Sequence, residues 1–156
     1  MATHGREAAL QLHAFGKQAV DYVERLVSEF NMADARFSKS GYITAAHSPV
    51  AMQGLRSAVE WLETVASDRS STLLDAEETA AAMGTRTYHG GVLNAYAGQL
   101  HPLNYVRGLA RAASGKGAQV FEQTPVRAIQ EGIDNVTVTT DRGRVVAKQV
   151  LIATDA

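Results

Sequence analysis

The chain reads as an α/β protein whose first half is α+β in character. Three observations predict this class. Long segments with apolar residues at three- and four-residue steps alternate with short β-prone runs bounded by Gly, Pro and Ser. Extended segments crowd into the region after Ala118. The last apolar run, Val150-Leu151-Ile152-Ala153, lacks alternation, which suits a strand buried on both faces of a parallel sheet.

Between Arg6 and Phe30, residues Leu12, Phe15, Ala19, Tyr22, Val23, Leu26, Val27 and Phe30 recur at helical spacing and predict one amphipathic helix, which Gly16 interrupts at modest cost. "NMADARFSKS" ends it. "GYITAA" predicts a short strand closed by the Ser48-Pro49 turn. Leu55, Val59, Leu62 and Ala66 mark a second helix, with Trp61 beside the stripe. In "DAEETAAAMG", Asp75 is the expected N-cap, Glu78 its capping-box partner and Gly84 the stop.

"TYHGGVLNAYAGQL" reads as strand and loop. His101-Pro102 opens a helix, since proline suits the first helical position. Val106, Leu109, Ala110 and Ala113 give it an apolar face, and Gly115 and Gly117 end it. "AQVFE" is expected to be a strand, followed by extended segments at "TPVRAIQEG", "NVTVTT" and "RVVAKQVLIAT". "TTDRGR" is a tight-turn signal between two of these. The resulting order is helix, strand, a three-stranded antiparallel excursion and a buried strand. From the residues alone, these final strands resemble a nucleotide-binding sheet.

Composition narrows the function classes. The 156 residues are 46% hydrophobic and 20% charged, as in an ordinary globular domain. A net charge of −1, with basic and acidic residues interspersed, argues against nucleic acid or an anionic membrane as partner. The absence of cysteine excludes disulfides, thiolate metal sites and a cysteine nucleophile, and it fits a cytoplasmic setting. "MATHGREAAL" lacks the apolar core of a signal peptide, and no run approaches the ~20 apolar residues of a membrane span.

Candidate chemistry is sparse. None of the five histidines, His4, His13, His47, His89 and His101, stands at metal-ligand spacing, so no metal site is expected. His101, at a helix start, suits a cap or loop contact, with a place near a cofactor as the alternative. "GKGAQV" imitates the first half of a dinucleotide fingerprint. It closes a helix and opens a strand, the reverse of the context that aims a helix N-terminus at pyrophosphate. Glu122, the position for a ribose-holding carboxylate, follows no fingerprint and reads as a solvated strand end. Glu77-Glu78 and Glu60/Glu63 read as solvent-facing helix charges, and no catalytic triad or nucleophile elbow is visible.

Three stretches taken in order carry a resemblance: "KSGYITAAHSPVAMQGLRSAVEWL", then "TLLDAEETAAAMGTRTYHGGVLNAYAGQLHPLNYVRGLARAASGKGAQVFEQTPVRAI", then "VVAKQVLIATDA". The chain resembles the FAD-dependent oxidoreductases of the D-amino-acid oxidase and glycine oxidase family, gamma-glutamylputrescine oxidase-like members above all. The resemblance implies part of a Rossmann-like FAD-binding domain with a β-meander, together with part of an antiparallel substrate-domain layer. Residues 1–40 would be a helix of the FAD-binding domain, 41–97 part of the substrate domain, and 98–156 part of the FAD-binding domain with the meander.

By the same resemblance, the backbone at Val126 meets adenine, and Ala153 and Thr154 pass the ADP portion of FAD. Asp155 departs from the expected asparagine or glycine and receives no role. The backbone of Gly98–His101 would lie toward the flavin side. The glycine fingerprint and the substrate-clamping residues would lie outside the sequence, which would then be an internal portion of a longer enzyme with no catalytic residue of its own. The implied reaction of the whole enzyme is oxidation of the C–N bond of a small amine or amino acid. This chain alone would bind FAD weakly or not at all. Two other readings stay open: a non-catalytic remnant acting as a binding or assembly module, and a sarcosine-type demethylating flavin oxidase.

Overall fold

The computed structural model describes residues 5–154; His4 and Asp155 lie outside the described residues. The order is α1 (Gly5–Glu29), a single 3-10 turn (Ala33–Ala35), β1 (Tyr42–Ala45), α2 (Pro49–Thr64), β2 (Ser71–Leu74), α3 (Ala76–Met83), β3 (Gly91–Asn94), α4 (Pro102–Gly115), β4 (Val126–Glu131), β5 (Val136–Thr140) and β6 (Gly143–Ala147). The mixed helix–sheet class holds, with two three-stranded antiparallel sheets ordered β1-β3-β2 and β4-β5-β6. The chain divides into two compact units, up to Ala112 and from Ala113.

In the first unit β3 is the central strand, pairing with β1 (Ile43 opposite Leu93) and β2 (Thr72 opposite Leu93). α2 packs on β2 and β3 and buries Met52 and Val59. Its start is written locally: Pro49 occupies the first turn and the Ser48 hydroxyl accepts from the Ala51 amide at 3.1 Å. α3 opens with the expected capping box. The Asp75 carboxylate accepts from the Glu78 amide at 2.8 Å, and Glu78 accepts from the Asp75 amide at 2.9 Å.

The core of this unit is small: Met32, Ala35, Ala46, Met52, Val59 and Val92 are its buried apolar residues among those described. Two glycines make the close approaches possible. Gly90 takes φ +134°, and a Cβ there would lie 2.9 Å from the Met52 sulfur. At Gly108 of α4, a Cβ would lie 2.6 Å from the Met32 sulfur, so α4 sits directly on that buried side chain.

The second unit is a meander. β5 pairs with β4 (Ile129 opposite Val138) and with β6 (Val138 opposite Val145). A register shift between Val126 and Ala128 makes Arg127 the extra residue of a bulge. The bulge brings Val126 onto the same face as Ile129, Val136, Val138, Val145 and Ala147, while Gln130, Thr137 and Thr139 line the other face. β5 and β6 are joined by the two-residue turn Asp141-Arg142, as "TTDRGR" predicts.

Two expectations are corrected, and two features have no counterpart in the sequence reading. Val150–Ala153 is not a buried strand: it is irregular, and Leu151 is 89% exposed. "AQVFE" is likewise irregular, with Val120 and Phe121 exposed. The reason is common to both. A parallel strand draws its ladder from neighbours, and every strand pairing among the described residues is antiparallel and involves other segments. Ser71–Leu74 is a strand although its four residues carry no clear sequence signal; pairing with β3 forms it. Finally, the apolar stripe of α1 is divided: the helix fully buries no residue, Leu12, Phe15 and Tyr22 are exposed, and Val23, Leu26 and Val27 are half-buried.

Candidate functional site

α1 lies against the sheet through charge. His13, Lys17, Asp21 and Glu24 follow one another at steps of four, four and three, so they share one helical face. His13 Nε2 and Lys17 Nζ both reach Asp68 Oδ2, at 2.8 and 3.0 Å. Asp68 is buried at 8% exposure, and its other oxygen accepts from the Ser70 amide at 2.8 Å. One turn on, Lys39 Nζ reaches Asp21 at 3.1 Å and Glu24 at 2.7 Å. The Tyr96 hydroxyl donates to Asp21. Lys17 and Lys39 stand over the Tyr96 ring at 4.3 and 4.9 Å from its centroid.

The residues enclose a cleft of about 230 Å³ lined by His13, Gly16, Lys17, Asp68, Asn94 and Tyr96, among others. The chain places Asp68 just after α2, its amide donating to the Leu62 carbonyl at 2.9 Å, and Tyr96 just after β3, its amide donating to Asn94 Oδ1 at 2.9 Å. The edge of the Trp61 ring meets His13 at 87°, with centroids 6.4 Å apart.

The electrostatics describe a lock. Burial pushes the Asp68 carboxyl up. The hydrogen bonds from Ser70, Lys17 and His13 outweigh it and hold the group well below the usual carboxylate range. The hydrogen bond to Asp21 raises the Tyr96 phenol, so the phenol keeps its proton. The same bond, with that from Lys39, lowers Asp21. Hydrogen bonds to Glu24 and Asp21 raise Lys39. An anion whose two oxygens are both engaged is a poor proton acceptor, and no nucleophile stands beside a base here. The cluster positions α1 rather than reacting.

None of these partners was a candidate in the sequence. The four-residue charge steps on α1 are legible, but alone they read as a solvated face, because the partners stand at Asp68 and Tyr96, far along the chain.

The residues expected at the adenine and ADP end of the cofactor fall in the second unit. Val126 opens β4 beside the bulge at 54% exposure, while Ala153 and Thr154 lie in the exposed segment after β6. No hydrogen bond or strand pairing joins Val126 to either. In the first unit, the His101 amide donates to the Ala35 carbonyl at 2.7 Å, and its Nδ1 accepts from the Asn104 amide at 3.4 Å, a capping contact. Gly98 and Gln99 lie at the Ser38–Gln99 bridge. Gly115 is the last residue of α4, so "GKGAQV" closes a helix as read. Glu122 is exposed, as are Glu60, Glu77 and Glu78 on their helices. Among the described residues, no three His, Asp or Glu side chains gather as a metal site, and no helix is long and apolar enough to cross a membrane.

The arrangement is that of an oxidoreductase fold. Glycine oxidase from Geobacillus kaustophilus shares it with a TM-score of 0.73 at 19% identity, over 95% of this chain and 40% of that one. The family model for FAD dependent oxidoreductases (DAO) matches residues 1–156, so the chain belongs to that family. Over 152 residues it is 29% identical to a probable oxidoreductase, OrdL, of Haemophilus influenzae, covering 97% of this chain and 35% of that protein. Over 84 residues it is 37% identical to gamma-glutamylputrescine oxidoreductase of Escherichia coli, covering 54% of this chain and 20% of that protein. The chain thus spans about a third or less of these curated relatives.

The family's cofactor is FAD. A pyrophosphate needs free backbone N–H groups at a helix N-terminus. At α2 the Ser48 hydroxyl takes that amide, at α3 the Asp75 carboxylate does, and at α4 His101 does. A carboxylate at the α3 start would also repel phosphate. At the starts of α2, α3 and α4, then, a side chain of this chain already holds a first-turn amide that a phosphate would use.

Proposed function

We propose that the chain is one portion of an enzyme that oxidises the C–N bond of a small amine or amino acid, with FAD as electron acceptor. In this reading residues 41–97 belong to the substrate-side layer, and residues 1–40 and 98–156 to the FAD-binding side. Val126, Ala153 and Thr154 flank the adenine end. The observation that carries it is the family match over all residues, supported by relatives whose names state oxidation of glycine or of gamma-glutamylputrescine. The self-capped helix starts support the companion claim that this chain alone holds FAD weakly or not at all.

The experiment compares the purified chain with the same chain fused behind the strand, glycine loop and helix of a relative. The expected result is no visible flavin absorbance in the first and bound flavin in the second. Val126→Asp in the fusion should then cost most of the retained flavin, because it sets a carboxylate beside the backbone that meets adenine. Stoichiometric flavin in the unfused chain overturns the weak-binding claim. A folded fusion without flavin, or one indifferent to Val126→Asp, overturns the placement of the adenine site.

A further inference from the structure

We draw no further inference here: the strongest candidate, the cleft of about 350 Å³ at the start of α4 lined by Arg36, Gln99, Leu100, His101 and Pro102, rests on a helix N-terminus beside one exposed arginine, with no second observation that points to a ligand.

Discussion

The two units of this chain solve the same problem differently. The first buries six apolar residues and one carboxylate, and its helix starts are capped. The second has complete strand pairing and no buried apolar residue among those described. Its sheet carries a largely apolar face, interrupted by Glu131 and Thr140, on which Val126, Ile129 and Val145 stay exposed at 54%, 42% and 52%. Backbone pairing can therefore set a strand register where side-chain burial contributes little. An isolated three-stranded sheet is marginal without cover on one face. The first unit should hold most of the chain's intrinsic stability, and substitutions should sort accordingly.

The comparison is strained hardest at Met32. It is 2% exposed and lies under Gly108 of α4. Met32→Ala leaves a void that neighbouring backbone cannot fill, and should cost about 2–5 kcal/mol by urea denaturation. A change near zero would mean the first unit has no effective core, and the contrast between the units would fail. Asp68→Asn comes next. It leaves Lys17 and His13 facing a neutral group in a half-buried cleft, and should cost about 1–3 kcal/mol at neutral pH.

The sign with pH follows from the lowered pKa of Asp68. A carboxyl depressed in the folded state contributes its full stability above the unfolded value, about 3.9, and loses it as pH falls through the folded value. The gap between native and Asp68→Asn stability should therefore narrow as pH falls below about 4. A gap that stays unchanged from pH 5 down to about 2 would show that the Asp68 charge is not what holds α1.

Local signals were readable in the sequence and distant ones were not. Asp75, Glu78 and Gly84 announce α3 because a capping box and a left-handed glycine stop are made within ten residues, and Gly84 indeed takes φ +72°. Pro49 and Pro102 mark helix starts for the same reason. The meander is legible from β-prone runs and one tight turn. The strand expected at Val150–Ala153 depends on neighbours that the described residues do not provide, so apolar content alone was misleading. Asp68 was invisible as a site because its partners lie 51 and 55 positions away. The stripe on α1 was found, but its direction was not: a helical period says which residues share a face, not which face meets the sheet.

Thr79 offers a smaller test with the opposite sign. Its side chain is fully buried in α3, and its hydroxyl has no hydrogen-bond partner. A buried unpaired hydroxyl costs free energy, so the near-isosteric Thr79→Val should leave the first unit unchanged or raise its stability by up to about 1 kcal/mol. Loss of stability would reveal a partner for the hydroxyl, and with it a more polar interior than the six-residue core suggests.

The smallest effect is expected in the second unit, and it tests the comparison from the other side. Arg127 makes two hydrogen bonds to Asp141, at 2.8 and 2.7 Å, between the bulge and the β5–β6 turn. The geometry is that of a strong bidentate pair, and it raises the guanidinium and lowers the carboxyl. Both side chains are nevertheless at least half exposed, at 62% and 50%, where water competes for the same hydrogen bonds. Arg127→Ala should therefore leave the thermal midpoint of the chain unmoved, while amide exchange at Thr140 and Gly143 quickens as the turn loosens. If the midpoint instead falls as far as it does for Asp68→Asn, then exposed polar pairing stabilises the meander as much as burial stabilises the first unit, and the two units differ in chemistry but not in strength.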